Sequence, residues 1–311
     1  MLAPRTVVVV NPKSQGGRLA SRWTEVAETL GRAFPFDEVI TQGPGDATRL
    51  TREALRAGAE RVVAIGGDGT INEVVNGFFE NGVAIAPEAS LGVIPYGTGG
   101  DFRRTLALPT DLEDAAQVIR GNRRRKIDLG ALTYTGAGGA KLTRMFVNIA
   151  SFGVSGVVDR LVNESGKKLG GKLSFFLASA RATWSYTNQR VELVFDGKDR
   201  AELTINTVAV ANGQYFGGGM HVAPSAELDD GAFDVISLGD LGFRELLTSG
   251  RRLYAGTHLS MDKVSSRRAR GVEAAPVDPA AIVELDVDGE NLGRLPARFE
   301  LMPAALWTIV P

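Results

Sequence analysis

Residues 62 to 77 read VVAIGGDGTINEVVNG, an apolar run that breaks into two glycines, an aspartate and a third glycine before a patterned stretch carrying Asn72 and Glu73. Val62 to Ile65 has the length and unbroken apolar character of a buried strand. Gly66 and Gly67 lack Cβ atoms, so the chain can turn sharply there and let a ligand approach its backbone. Thr70 opens the pattern T-x-x-E with Glu73, which predicts an N-cap at Thr70 and a helix whose first N–H groups face the turn. Such an end favours anions. Asp68 in the same loop is costly beside an anion unless a cation accompanies it, and a magnesium-bound polyphosphate meets both demands. An ordinary strand-to-helix turn, with the glycines serving tightness and Asp68 capping, accounts equally well for an isolated G-G-x-G.

The same grammar recurs in the first part of the chain. Val7 to Val10 reads as a buried strand ending in NPKSQGGR, and Leu91 to Pro95 as a strand ending in YGTGGDF. Between them Leu19, Trp23, Val26, Ala27 and Leu30 fall at helical spacing, Phe36 to Ile40 has strand character, and Asp46 is placed to cap a helix through Arg56. Strands alternating with helices predict a mainly parallel sheet. Ligands bind such sheets outside the carboxyl ends of the strands, so the three glycine-bearing loops are expected to share one crevice. None of them is a GxxxxGKS or GxxxxGKT loop or a clean GxGxxG, which counts against a P-loop enzyme and a typical dinucleotide fold.

From about Asp128 extended segments dominate: Leu142 to Ile149, Val191 to Phe195, Leu203 to Ala211, Ala232 to Leu238, Ile282 to Val287 and Leu306 to Val310. Helical patterning survives at Lys172 to Ser185 and Phe243 to Leu253, and the polar, proline-bearing stretch from Ser265 to Pro279 is expected to be a loop. The chain of 311 residues is long enough for two domains, an α/β one over 1–128 and a mostly β one over 129–296. Its 35 basic and 36 acidic residues nearly cancel, so no overall field draws it to nucleic acid or an anionic surface. With no cysteine and only His221 and His258, disulfides, thiolate metal sites and a histidine-rich zinc centre are excluded or disfavoured. No run of eighteen apolar residues occurs, and a cytoplasmic protein, peripheral to a membrane at most, is expected.

NPKSQGG, GGDGTINEVVNG, PYGTGGDF, ANGQYFGGGMHVAPSAELDDGAFDV (211 to 235) and DVDGE (286 to 290), in that order, resemble the diacylglycerol kinase catalytic-domain family, specifically its bacterial soluble lipid kinases, related to sphingosine kinases. GGDGT alone is shared with NAD kinases and phosphofructokinases; the later segments separate this family from those. The resemblance implies a phosphofructokinase-like α/β nucleotide domain followed by a β-sandwich domain. It places the active site in the cleft between them and returns a C-terminal tail, about 297–311, to the first domain. It further implies a kinase that uses ATP and magnesium to phosphorylate a glycerolipid hydroxyl, diacylglycerol foremost. Phosphatidylglycerol or sphingoid-base kinase, NAD kinase and a non-enzymatic nucleotide-sensing regulator are the alternatives. ATP and a lipid are the expected partners, with transient membrane-surface contact and a homodimer among the expectations, and without nucleic acid.

Carried over by motif position, Asn11, Thr41, Gly66, Gly67, Asp68, Gly69, Thr70, Asn72, Gly97 and Thr98 are implied in nucleotide binding. Asp68, Asp101 and Asp128 are implied around a catalytic magnesium. Gly100 stands where the family usually has asparagine, which removes a side-chain contact there and leaves the backbone path. Asp230, with carbonyls of Glu227 and Ala232, is implied at a structural magnesium, although Asp229-Asp230-Gly231 by itself also reads as a plain turn. In DVDGE, alternation places Asp286 and Asp288 on one face of a strand that Gly289 ends, and the resemblance makes Asp288 and Glu290 the catalytic acids. A hairpin turn with solvated acids is the competing reading of that pentapeptide. The basic runs at Arg123–Lys126 and Arg267–Arg270 are expected to be solvated faces, and His221 and His258 to be structural.

Overall fold

Four successive valines, Val7 to Val10, are buried together, as a parallel strand covered on both faces requires. They belong to β1 (Thr6–Val10), followed by α1 (Ser14–Ala33), β2 (Asp37–Ile40), α2 (Asp46–Arg56), β3 (Arg61–Gly66) and α3 (Asp68–Gly77). A short hairpin, β4 (Phe79–Glu80) and β5 (Val83–Ala84), leads to β6 (Ser90–Pro95), α4 (Asp101–Thr105), α5 (Leu112–Gly121) and β7 (Arg124–Thr135). The computed structural model describes residues 3–97, 99–136, 138–158 and 186–311. Thr98 and the helical patterning expected at Lys172 to Ser185 lie outside the described residues.

The chain divides into two units, Met1–Leu129 with Pro303–Pro311, and Gly130–Met302. In the first, β1 pairs in parallel with β2 and β3, β3 with β6, and β6 with the last residues of the chain through Trp307↔Ser90 and Thr308↔Leu91. Leu19, Val26 and Leu30 of α1 and Ala115, Ala116 and Ile119 of α5 pack with Val8, Val63, Ile94 and Ile309. The helical spacing in α1 thus buries one stripe and leaves Arg18, Arg22 and Glu25 outside. Asp111 caps α5, accepting from the N–H groups of Glu113 and Asp114 at 2.9 and 3.1 Å.

The second unit contains β8 (Lys141–Phe146), β9 (Ile149–Gly153), β10 (Gln189–Phe195), β11 (Asp199–Ile205), β12 (Thr207–Ala211), β13 (Phe233–Leu238), α6 (Phe243–Ala255), β14 (Val264–Ala269), β15 (Gly271–Pro276), β16 (Glu284–Val287) and, as far as Met302, β17 (Glu290–Ile309). One layer runs β14–β13–β12–β9–β16–β17, and a second is built from β11, β10 and β15. Phe146 stacks on Phe233 at 5.5 Å and Phe152 on Phe299 at 5.8 Å, in a core where all four rings are buried. Each such ring stabilises the fold by about 1.5–3 kcal/mol through burial. The architecture is an α/β unit and a β-sandwich unit.

Three expectations are corrected. The stretch Ser265 to Pro279 is mostly strand, β14 and β15. Ser265 to Arg268 are exposed, but β14 is the end strand of its layer, paired to β13 from Phe233↔Ala269 to Leu238↔Val264. Exposed charge is what protects an end strand, so polarity there misleads. In β15, Val272 and Ala274 turn inward and Glu273 outward. The run Leu203 to Ala211 is two strands, broken at Asn206, whose N–H donates to Leu238 and Gly239 carbonyls at 2.9 and 3.0 Å. The basic run at Arg123 is not merely solvated either: Arg124 and Lys126 lie over the Trp307 ring, at 4.5 and 5.2 Å from its centroid.

Candidate active site

The loops after β1, β3 and β6 line one cavity of about 240 Å³ in the first unit, walled by Gln15, Gly66, Gly67, Asp68, Gly97, Gly99, Gly100, Arg103 and Arg104 among others. The glycines are there for closeness: a Cβ on Gly97 would sit 2.5 Å from the Gly67 Cα, so the second and third loops touch backbone to backbone. Asn11 ties the first loop in. Its side-chain amide donates to Thr70 Oγ1 at 2.9 Å, and its Oδ1 accepts from the Lys13 N–H at 3.0 Å.

Asp68 is the first residue of α3, with Gly67 at the N-cap. Thr70 is therefore not the cap, and the capping box expected from T-x-x-E does not form. The Glu73 carboxylate reaches α2 instead, accepting from the N–H groups of Gly45 and Ala47 at 3.0 and 3.1 Å. The Asp68 carboxylate accepts from three consecutive N–H groups across the cavity, Gly100 at 2.9 Å, Asp101 at 3.3 Å and Phe102 at 3.2 Å. Oriented backbone dipoles therefore already meet part of its charge. A carboxylate has about four acceptor positions, so three donors do not exhaust it and its oxygen chemistry still suits a hard ion such as magnesium.

The other expected residues separate into groups. Asp101 is buried and pairs with Arg104, whose guanidinium also donates to the Gly99 carbonyl at 2.6 Å and so clamps the loop. Asp128 is buried and accepts from the Ala304 N–H at 2.6 Å, holding the returning end of the chain. Thr41 is buried at the end of β2, its N–H bonded to the Val10 carbonyl. Asn72 is fully buried and takes a bond from the Asn76 amide at 3.1 Å, while Ile71 rather than Asn72 or Gly69 lines the cavity. Among the described residues no three His, Asp or Glu side chains converge as a metal centre.

In the second unit DVDGE is a two-residue hairpin between β16 and β17, with Val287 opposite Glu290. Asp288 and Gly289 both have positive φ, 48° and 86°. Asp288 therefore sits in the turn and not on a strand face with Asp286, a correction to the alternation reading; yet neither acid is solvated. Asp288 is 9% exposed, and its carboxylate accepts from Val147, Asn148 and Ile149 N–H groups at 3.1, 3.2 and 2.9 Å. Asp286 accepts from the Ser151 hydroxyl at 3.0 Å and the Gly289 N–H at 3.0 Å. Glu290 is paired with Arg144 at 3.0 Å. The ANG segment braces the same backbone, with Asn212 donating from its side chain to the Val147 carbonyl at 2.9 Å.

Asp230 is ion-paired with Arg268 and accepts from the Ala232 N–H at 3.1 Å. Burial pushes the nearby Asp234 carboxyl above its ordinary range, with the charges of Asp230 and Glu227 adding to the shift and Arg268 opposing it. A cation at Asp230 would have to compete with the guanidinium. His221 stacks on Tyr215 at 4.3 Å, and buried His258 contacts the Val222 carbonyl at 3.0 Å; burial lowers the pKa of both.

Residues 5–132 match the diacylglycerol kinase catalytic domain and residues 148–310 the YegS C-terminal NAD kinase beta sandwich-like domain. The chain belongs to the diacylglycerol kinase family. Like other members it is a lipid kinase. It is 31% identical to a diacylglycerol kinase of Staphylococcus carnosus (strain TM300), over 95% of this chain and 91% of that one. It is 29% identical to a diacylglycerol kinase of Bacillus subtilis (strain 168), over 99% and 96%. A crystal structure of a candidate diacylglycerol kinase from Bacillus anthracis str. Sterne superposes with a TM-score of 0.77 at 26% identity, covering 100% of this chain and 98% of that one.

The residues that motif matching passed over are Gln15, Arg103, Arg104 and Arg144. The first three directly follow or sit inside the quoted motifs, so adjacency was the available signal. Arg144 had none, because its partner Glu290 is 146 residues away.

Proposed function

We propose that this lipid kinase transfers the terminal phosphoryl group of magnesium-bound ATP to the hydroxyl of a glycerolipid, diacylglycerol first. The observation that carries the donor half is the cavity lined by glycine backbone, one carboxylate and two arginines in the first unit. At about 240 Å³ it is smaller than the ~300–1,000 Å³ of pockets that enclose whole ligands, which suits a phosphate chain whose nucleoside lies outside it. Asp68 and Asp101 are the oxygen donors that would hold magnesium beside it. The ion would neutralise charge on the phosphates as it does in phosphoryl transfer generally.

Asp288 orients and accepts the proton of the lipid hydroxyl, and three backbone N–H groups hold its carboxylate in one rotamer for that purpose. Glu290, set by Arg144, supports the same arrangement. Among the described residues no helix is long and apolar enough to cross a membrane, so the lipid is expected to be met at a membrane surface. The test is γ-labelled ATP, with and without magnesium, against detergent-dispersed diacylglycerol, phosphatidylglycerol, a sphingoid base and NAD. Magnesium-dependent label on diacylglycerol is expected. Label on phosphatidylglycerol or the sphingoid base would move the acceptor, and label on NAD alone would overturn the reading.

A further inference from the structure

Two arginines follow GTGGDF, and the structure gives them different duties. Arg104 is spoken for: it pairs with Asp101 and donates to the Gly99 and Gly100 carbonyls. Arg103 also lines the cavity, but its hydrogen bond, from Nη1 at 3.1 Å, goes to the neutral Leu108 carbonyl. Among the described residues that line the cavity, it is the cation without a carboxylate partner. Asp68, the carboxylate in the same wall, is directed to three N–H groups of the loop. A half-buried guanidinium, steadied by one carbonyl and facing a space walled by glycines, has donors left for an anion.

Gly100 explains how the guanidinium comes to be there. It has φ 67° and ψ 42°, a left-handed conformation that asparagine tolerates and most residues do not. A Cβ at this position would lie 3.3 Å from Arg103 Nε and 3.8 Å from Arg103 Cβ. The backbone does not demand glycine; the Arg103 side chain occupies the room that any side chain at 100 would begin to fill. We propose that Arg103 is a phosphate-contact residue for the nucleotide, and that Gly100 and Arg103 act as a pair in which the missing side chain admits the guanidinium. This rests on the reading of the cavity as a nucleotide phosphate site and adds a contact supplied by this chain's own sequence. A guanidinium presents a planar fork that matches two phosphate oxygens, which a lysine ammonium cannot do.

The test uses the full chain and calorimetry with ATP, ADP and adenosine in magnesium, supported by kcat and KM for ATP. Arg103→Gln is expected to weaken ATP binding roughly 10-fold, the scale of one lost charge-assisted bond, with adenosine binding unchanged. Arg103→Lys is expected to recover part of the loss. Gly100→Asn should weaken ATP binding by roughly 3-fold in the parent and have no further effect in Arg103→Gln, because the two changes remove one interaction. Unchanged ATP affinity and KM in a folded Arg103→Gln protein would overturn the contact. Equal weakening of adenosine would also overturn it, by tracing the effect to loop architecture, and additive effects of the two substitutions would overturn the pairing. A parent protein that binds no ATP at all would sink the nucleotide reading itself and this inference with it.

Discussion

Asp68 and Asp288 use the same device in different settings. Each carboxylate accepts from three consecutive backbone N–H groups, those of residues 100–102 for Asp68 and 147–149 for Asp288. Asp68 does so from the first turn of a helix, at the wall of a cavity. Asp288 does so from a turn position with φ 48°, with only 9% of its surface exposed. A non-glycine residue in that region costs roughly 1–2 kcal/mol, which the three hydrogen bonds offset. The difference teaches which link each acid serves. At Asp68 the contacts shape a loop around a cavity; at Asp288 they fix one carboxylate against strain.

The comparison breaks most visibly at Asp288. Asp288→Asn presents an N–H₂ group to backbone donors or rotates away from them, so kcat is expected to fall about 100-fold or more while ATP affinity stays near the parent value. Loss of the bonded carboxylate should also cost about 1–3 kcal/mol of stability, read as a lower denaturant midpoint. Normal turnover in a destabilised variant would leave Asp288 a purely structural anchor. For Asp68→Asn the balance reverses: the loop loses its anchor, and ATP affinity is expected to drop about 10-fold, followed by calorimetry, with a smaller change in melting. If ATP binding survives and melting collapses, the two aspartates have been assigned the wrong way round.

What the residues reveal in advance follows from the range of the interaction involved. The parallel strands of the first unit are legible because burial on both faces demands unbroken apolar runs, and the glycine loops are legible because close backbone approach excludes side chains. The Glu73 carboxylate is not, since the N–H groups it meets are 28 and 26 residues away. The β14 edge is hidden by its own protective charge. DVDGE misleads because Asp-Gly satisfies both a strand end and a left-handed turn, and only the N–H groups of residues 147–149 decide between them. Arg103 is plain in the sequence, but its significance lies in the space above Gly100, which no motif encodes.

The smallest expected effect concerns acid stability, and it sharpens the comparison by marking the unit that holds Asp288. Burial lowers the pKa of His221 and His258, both in that unit, below the ordinary 6.5. Groups with depressed folded pKa values contribute stability that is complete above 6.5 and is lost as pH falls through the folded values, because the unfolded chain binds the protons first. A lower Tm at pH 5.5 than at pH 7 is expected from these two groups. His221→Phe keeps the ring stack on Tyr215 and removes a buried Nε2 that has no hydrogen-bond partner among the described residues, so its melting should depend less on pH. An unchanged acid slope in that variant would assign the effect elsewhere.

The return of Pro303–Pro311 to the first unit has a consequence for the order in which the protein can be made. The strand beside β6 pairs Trp307 with Ser90 across more than two hundred intervening positions, so it is translated after the β-sandwich residues. A ribosome synthesising this chain releases the β-sandwich residues before the α/β sheet can receive its final strand, so the usual N-terminal-first schedule is closed to it. Until then the β6 edge is open, with the unpaired N–H and C=O groups that invite association with other chains. A nascent polypeptide that has not yet reached residue 303 therefore carries an open, adhesive edge on its α/β unit, and a chaperone that covers that edge would protect it in the meantime.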